Sequence, residues 1–115
     1  MRPHTENILD AGEHDFVVKV LDASQEILVL VDFWADWCPP CRALTPLLEK
    51  LAREYTERMV LVKVEVDADD NMKLAGRYRL RGFPTVLLMR NGAEVGRFSG
   101  YKPEDFVRAM IDGQV

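Results

Sequence analysis

Apolar residues recur along the first half of the chain in two alternating patterns, helical spacing and short continuous runs. Residues 13–22 carry apolar side chains three and four positions apart, which predicts a helix. Residues 27–34 then form a nearly continuous apolar run, typical of a strand covered on both faces of a parallel sheet. Helical spacing returns after Cys41, and Pro46 should kink this helix because proline cannot donate a backbone hydrogen bond. Its apolar positions are Leu44, Leu47, Leu48, Leu51, Ala52 and Tyr55.

The middle of the chain continues the alternation of strand and helix. Residues 60–67 form a further apolar segment that alternates in its second half, which predicts a strand. Asp69 or Asp70 is expected to cap a short helix after it, because a carboxylate accepts hydrogen bonds from the free N–H groups of a first turn. The apolar side of that helix carries Leu74, Ala75 and Tyr78.

The last third of the chain predicts a hairpin and a closing helix. Residues 85–89 form a strand, and Asn91-Gly92 is a strong signal for a tight turn into residues 94–99. Pro103 stands before two acidic residues at the start of the last helix, where the helix dipole favours negative charge. The apolar face of this helix carries Phe106, Val107, Met110 and Ile111.

These elements predict one α/β domain over residues 1–115, with a single mixed β-sheet and helices on both faces. The size and the composition, 48% hydrophobic and 30% charged, agree with one globular domain. The net charge of −4 and the scattered basic residues argue against nucleic acid or an anionic membrane as the main partner. The N-terminus lacks the apolar core of a signal peptide, and no apolar run is long enough to span a bilayer. We therefore expect a cytoplasmic monomer.

The two cysteines, Cys38 and Cys41, stand at the start of the long predicted helix. In a reducing compartment, a pair so close in sequence is rarely a structural cross-link. The free N–H groups and the dipole at a helix N-terminus stabilise a thiolate on the first cysteine. The second cysteine follows nearly one turn later, close enough to form a disulfide with it. We predict that Cys38 attacks a substrate disulfide and that Cys41 resolves the mixed disulfide.

Two other interpretations of the cysteine pair have less support. Zinc needs further ligands, but the chain has no third cysteine, and His4 and His14 lie in or near the N-terminal tail. A purely structural disulfide closing so short a loop would remove little entropy from the unfolded chain. We therefore expect no metal site and no cofactor beyond the redox-active Cys38–Cys41 disulfide.

Two segments resemble the active-site signature and the cis-proline loop of thioredoxins. They are Val31-Asp32-Phe33-Trp34-Ala35-Asp36-Trp37-Cys38-Pro39-Pro40-Cys41-Arg42 and Arg81-Gly82-Phe83-Pro84-Thr85. The Asn91-Gly92 turn and Gly100 also fall at matching places, so the resemblance extends over about residues 6–113. It implies the thioredoxin fold and a protein disulfide reductase that acts on protein substrates and receives electrons from a thioredoxin reductase.

A charged residue, Asp32, stands in the middle of the apolar strand, where both faces should be covered. A buried carboxylate should have a raised pKa and can exchange a proton with a neighbouring thiol. Thioredoxins carry a buried aspartate at the matching position, and we expect Asp32 to act as general base on Cys41. The resemblance also implies Lys63 as the partner of Asp32, although the pattern alone places Lys63 on a solvated face with Glu65 and Asp67.

The resemblance further implies a substrate-binding surface beside the cysteines. A cis peptide bond before Pro84 would present the backbone of Phe83 to an extended substrate segment. Trp37 should be exposed, because the thiol next to it must be reachable. Gly100 is assigned to the same surface from its matching place. Trp34 is expected to pack against the core and to line the rim of the active site.

The residues between the cysteines depart from the usual family pattern. Thioredoxins usually have Gly-Pro there, whereas this chain has Pro39 and Pro40. The additional proline stiffens the turn and removes the N–H of residue 39, a donor that could otherwise favour a nearby thiolate, so it bears on the reduction potential. Residues 44–49 and 100–105 also look like the thioredoxin domain of chaperedoxins, which carry helical repeats downstream. Three roles therefore stay open: a disulfide reductase, the client-binding redox domain of a chaperedoxin-type holdase, and a more oxidising oxidase or isomerase.

Overall fold

A single five-stranded sheet forms the centre of the protein, which the computed structural model describes over residues 7–115. Its strands are β1 (Ile8–Asp10), β2 (Leu28–Trp34), β3 (Met59–Glu65), β4 (Thr85–Arg90) and β5 (Ala93–Ser99). In space they follow the order β1-β3-β2-β4-β5. β1 and β2 run parallel to β3, whereas β4 is antiparallel to β2 and to β5, so the sheet is mixed as predicted. Residues 1–6 lie outside the described residues, and with them His4 and most of the segment on which the expectation about a signal peptide rests.

Helices cover both faces of the sheet, which confirms the predicted architecture. Helices α1 (Pro39–Glu54) and α3 (Glu104–Asp112) pack on one face, and α2 (Met72–Arg77) packs on the other. A π-helical segment, Val17–Asp22, and a short 3₁₀ turn, Ala23–Gln25, lie on the α2 side. In the part of the chain described, no helix is both long and apolar enough to cross a membrane.

Strand β2 is buried on both faces, as its apolar run predicts. Its odd-numbered residues from Val29 to Phe33 belong to the core on the α2 side, while Leu28 and Leu30 belong to the core beneath α1 and α3. Alternate side chains of a strand point to opposite faces of the sheet. Asp32 therefore lies on the α1 side, next to Leu30 and in the interior of the protein.

Two loops meet at one edge of this sheet. The chain leaves β2 at Trp34 and enters α1 at Pro39 after a short loop that carries Cys38. β4 runs antiparallel to β2 with Phe33 opposite Thr85, so the start of β4 lies beside the end of β2. The loop before β4 therefore adjoins the loop that carries Cys38. This edge holds the carboxyl ends of the parallel strands, where binding sites in such sheets usually lie.

The start of the chain differs from the prediction in two elements. Strand β1 is absent from the prediction because three residues are too few to show an alternating pattern. The first helical segment begins at Val17 rather than at residue 13, and it is π-helical. Phe16 and Val20 are buried as the spacing indicates, whereas Val17 is exposed.

The prediction that Asp69 or Asp70 caps α2 is wrong. Asn71 occupies the N-cap position, and no side chain caps the helix. The Asn71 side chain accepts a hydrogen bond of 2.8 Å from the N–H of Glu13 and donates one of 2.9 Å to the carbonyl of Glu65. Asn71 thus ties the loop after β1 to the end of β3, so a contact between distant segments takes the place of a local cap.

Candidate active site

Cys38 and Cys41 lie at the start of α1 and form a disulfide, with their Cα atoms 5.3 Å apart. Cys38 is the N-cap residue and has an extended backbone, while Pro39 and Pro40 occupy the first two helical positions. Proline fits there because those N–H groups have no partner within the helix. The Cys38 Sγ accepts a hydrogen bond from the N–H of Cys41 at 3.3 Å. A thiolate on Cys38 would therefore face the positive end of the helix dipole.

The two sulfurs differ in their access to solvent. Cys38 is 3% exposed, whereas Cys41 is completely buried. The Cys38 Sγ also lies 3.4 Å from the carbonyl oxygen of Phe83. Of the two, Cys38 therefore keeps the only surface that a substrate could contact, while Cys41 is enclosed behind it. This arrangement fits Cys38 as the attacking thiol and Cys41 as the resolving thiol.

The loop before β4 contains the predicted cis peptide bond, between Phe83 and Pro84. Gly100 follows β5 with a φ of +79°, a conformation that favours glycine. The N–H of Gly100 donates to the carbonyl of Pro84 at 2.8 Å, so Gly100 holds the cis-proline loop in place. The N–H of Phe83 has no backbone acceptor among the described residues. The backbone of this loop is therefore available to pair with an extended segment of another chain.

Trp37 is exposed beside the disulfide, as predicted, with 63% of its surface accessible. Its Nε1 donates a hydrogen bond to Asp67 Oδ2, which fixes the indole ring over the loop after β3. The ring also packs edge-on against Phe83, with 6.1 Å between the ring centroids. Trp37 and Phe83 thus form an apolar rim around the accessible side of Cys38.

Asp32 is completely buried, which confirms the prediction that its strand leaves it no solvent side. Its Oδ2 accepts a hydrogen bond of 2.7 Å from the hydroxyl of Thr45 on α1, and its Oδ1 has no partner among the described residues. Burial raises the pKa of Asp32 to about 6, while the hydrogen bond from Thr45 and the positive charge of Lys63 act in the opposite direction. A carboxyl group with such a pKa can both take and return a proton near neutral pH.

Lys63 makes its close ion pair with Glu49 and acts on Asp32 through its charge. The Nζ of Lys63 lies 2.9 Å from Glu49 Oε2 and 4.0 Å from Asp10 Oδ1. Lys63 of β3 lies directly beside Asp32 of β2 in the parallel strand pair. From this position its positive charge lowers the pKa of Asp32. Glu49 carries the opposite charge and raises the pKa of Asp32.

A cavity of about 240 Å³ lies behind the cysteines. Its walls are formed by Trp34, Cys41, Arg42, Thr45, Pro46 and Lys63. Trp34 packs half-buried at this wall, which agrees with its expected place at the rim of the site. Cys41 and the residue that binds Asp32 therefore share one space.

The chain matches the thioredoxin family model over residues 7–113. The chain belongs to the thioredoxin family. It is 36% identical over 106 residues to the thioredoxin of Chlorobaculum thiosulfatiphilum, covering 92% of this chain and 94% of that protein. It is 38% identical over 108 residues to thioredoxin C-2 of Corynebacterium nephridii, covering 94% and 96%. It is 36% identical over 101 residues to the thioredoxin of Bacillus subtilis, covering 84% and 95%.

Family membership and the Cys38–Cys41 disulfide together make this protein a thiol–disulfide oxidoreductase. The predicted resemblance and the predicted thioredoxin fold are confirmed. Thr45 and Glu49, which surround Asp32, are absent from the site predicted by the sequence. Their spacing contains a signal, because residues four apart share one helix face, and Thr45 and Glu49 follow Cys41 by four and eight residues.

The two prolines between the cysteines act in different ways, one by removing an N–H donor and the other by stiffening the turn. An N-cap side chain accepts hydrogen bonds from the second or third residue of the helix. Pro40 is the second residue, so Pro40 removes a donor near the Cys38 sulfur, and Pro39 does not. The effect expected of Pro39, loss of a donor to the thiolate, is therefore assigned to Pro40. Pro39 acts through the stiffness of the turn.

Replacing Pro39 with glycine should make the reduction potential more negative, by on the order of tens of millivolts. Glycine has the backbone freedom to let the turn adjust when the disulfide closes. Pro40→Ala should shift the potential less and in the opposite direction, because a restored N–H would stabilise the Cys38 thiolate. Equilibration of each variant against glutathione buffers measures both shifts. A less negative potential in Pro39→Gly would contradict the assignment.

Replacing Lys63 with methionine should raise the pKa of Asp32 above about 6, because a nearby positive charge that favours the carboxylate is lost. Glu49→Gln should lower the pKa of Asp32, because a nearby negative charge that disfavours the carboxylate is lost. The titration of the Asp32 carboxyl carbon, followed by NMR in the oxidised protein, measures both effects. Shifts of the same sign in the two variants would contradict this account of the charges.

Proposed function

We propose that this protein reduces disulfide bonds in other proteins. The observation that carries the proposal is the place of Cys38 at the N-terminus of α1, where it alone of the two cysteines has accessible surface, with Cys41 completely buried behind it. The Cys38 thiolate attacks one sulfur of the substrate disulfide, forms a mixed disulfide and releases the other sulfur as a thiolate. Cys41 then attacks the Cys38 sulfur, forms the Cys38–Cys41 disulfide and releases the second substrate thiolate. The substrate gains the two electrons that the dithiol loses.

Asp32 is the proposed general base of the second step. Cys41 must lose its proton before it can attack, and its buried position slows direct transfer to water. Asp32 is buried on the α1 side of β2, and Thr45, one turn after Cys41, binds it directly. Its pKa of about 6 makes it an ionised acceptor at neutral pH that is also basic enough to accept a thiol proton in transit. Lys63 tunes this acidity through its charge.

The proposed substrate is an extended segment of protein that carries the disulfide. The backbone of Phe83 would pair with it strand to strand, in the manner of β-augmentation. Trp37 offers an exposed apolar surface for its side chains, and the N–H of Gly100 keeps the loop of Pro84 in position for the pairing. These contacts involve the backbone of the substrate more than its side chains. Because every protein has the same backbone, they support a broad range of protein substrates.

The oxidised protein must receive two electrons before another cycle. We assign this step to a thioredoxin reductase, with Cys38–Cys41 as the one redox group that the cycle needs. The reducing cytoplasm is the compartment in which such a dithiol is kept reduced. The protein is proposed to work as a monomer, because all residues assigned to the site belong to one chain.

One observation favours a second, less reducing role. Pro39 replaces the glycine usual in the family, and a stiffer turn would destabilise the disulfide and favour oxidase or isomerase activity. The reduction potential measured against glutathione buffers distinguishes the two roles. A potential near that of thioredoxin, about −270 mV, together with insulin reduction driven by NADPH and thioredoxin reductase, supports the reductase. A potential near −120 mV, that of a strong oxidant, would contradict it.

A further inference from the structure

Among residues 7–115, Thr45 makes the one hydrogen bond to the carboxylate of Asp32. Its hydroxyl lies 2.7 Å from Asp32 Oδ2 and donates to it. Thr45 follows Cys41 by four residues, so both side chains lie on the face of α1 that covers β2. A threonine hydroxyl within a helix often bonds to a carbonyl of the preceding turn. Here its hydrogen bond goes to the buried carboxylate instead.

The hydrogen bond makes the two oxygens of Asp32 unequal. Oδ2 is occupied by Thr45, whereas Oδ1 is buried and has no partner among the described residues. A buried carboxylate oxygen without a partner is costly, and such groups in native proteins often have a chemical role. The unpartnered Oδ1 is therefore the oxygen that is free to accept a proton.

We infer that Thr45 is a positioning residue that holds Asp32 by Oδ2 and leaves Oδ1 as the proton acceptor for Cys41. The inference rests on the proposed function, in which Asp32 is the base of the second step. In that step the S–H bond of Cys41 breaks, and its proton passes to Asp32. The Cys41 sulfur forms a bond to the Cys38 sulfur, and the bond from Cys38 to the substrate sulfur breaks. The departing substrate thiolate keeps the electron pair of that bond.

Other charged groups around Asp32 act from a greater distance. Lys63 on β3 favours the carboxylate, and Glu49 on α1 disfavours it, while the two form an ion pair with each other. On the other side of Asp32, β4 places the apolar Val86 opposite. The charges of Lys63 and Glu49 therefore offset each other in part. The hydroxyl of Thr45 is left as the group that fixes the direction of the carboxylate.

Thr45→Val tests this role, because valine has nearly the same shape and lacks the hydroxyl. The reduced protein is mixed with saturating dithiobis(nitrobenzoate), a chromogenic aromatic disulfide. The attack of Cys38 releases a first nitrothiolate, and the attack of Cys41 releases a second. We expect the first release to be unchanged, because it does not use Asp32. The pH profile of the second should move upward by on the order of one pH unit. At pH 6 the second release should then be about fivefold slower, and at pH 8 nearly unchanged.

Two companion variants separate the possible causes. Thr45→Ser keeps the hydroxyl and should restore the pH profile of the parent. Equal slowing of both releases in Thr45→Val, or failure of Thr45→Ser to restore the profile, would overturn the inference and indicate a packing role. Asp32→Asn should slow the second release at every pH. If Asp32→Asn leaves the second release unchanged, the role of Asp32 in the proposed function fails. If it slows that release and Thr45→Val leaves the profile unmoved, the inference about Thr45 alone fails.

Discussion

Cys38→Ser should abolish the reduction of insulin disulfides, because a serine hydroxyl stays protonated at the end of α1 and cannot replace a thiolate nucleophile. Of the two cysteines, Cys38 alone has any accessible surface, and Cys41 cannot take over the attack because it is completely buried. We expect turnover to fall to the uncatalysed rate. The measurement is the precipitation of reduced insulin, or the oxidation of NADPH in the presence of thioredoxin reductase.

Cys41→Ser should give a different result, because it leaves the attacking sulfur intact. The Cys38 thiolate can still attack a substrate disulfide, but the mixed disulfide has no resolving thiol. The variant should therefore accumulate as a covalent complex that reducing agents break. Mass spectrometry of the complex should place the substrate on Cys38. Normal turnover by Cys41→Ser, or alkylation of Cys41 before Cys38 in the reduced parent, would contradict the assigned roles.

The sequence predicts the parts of this site that depend on short segments. The apolar run of β2 requires both faces to be covered, and from that requirement the burial of Asp32 follows. The proline pair and the helical spacing after it place Cys38 at the start of α1. The cis bond before Pro84 comes from the family resemblance, since X–Pro bonds are cis in only about 5–6% of cases.

The partners of the buried charges depend on how distant elements pack, and the sequence pattern does not contain that information. Lys63 of β3 pairs with Glu49 of α1 because the packing of α1 against the sheet brings the two side chains together. The two residues are 14 positions apart in the sequence, so no local pattern predicts the pair. Asn71 displaces the predicted aspartate cap for a similar reason, since it bonds to the loop after β1 and to the end of β3.

Side-chain burial at the ends of helices is also set by neighbours outside the helix. The apolar face of α3 predicts that Phe106 is buried together with Val107, Met110 and Ile111. Val107 and Ile111 are buried and Met110 is half-buried, but Phe106 is 43% exposed, so the prediction for Phe106 is wrong. The Phe106 ring packs edge-on against Phe98 of β5, and β5 is the edge strand, so no further strand of the described sheet lies beside it.

Asp32→Asn should stabilise the protein at neutral pH and leave its stability nearly unchanged in acid. The folded protein raises the pKa of Asp32 from 3.8 to about 6, so the folded state binds the proton more tightly than the unfolded state does. The stability that protonated Asp32 contributes is therefore fully present below pH 3.8 and is lost as the pH rises through about 6. A difference of about two pKa units corresponds to roughly 3 kcal/mol. Asparagine cannot ionise, so the variant does not lose this stability.

Denaturant unfolding of the oxidised protein between pH 3.5 and pH 8 measures the effect. The free energy of unfolding of Asp32→Asn, relative to that of the parent, should increase by about 3 kcal/mol across this range. Asparagine keeps the size of the side chain and can accept the hydrogen bond from Thr45 through its amide oxygen, so the comparison isolates the charge. Asp36→Asn, at an exposed position four residues further along, is the matched control and should show no such increase. If the difference in free energy of unfolding between Asp32→Asn and the parent stays constant with pH, Asp32 ionises in the folded protein without a free-energy penalty. Its assignment as a base with a pKa near neutral would then be wrong. If the expected increase is found together with slower release of the second substrate thiolate, the same buried charge that destabilises the protein is the charge that accepts the proton of Cys41.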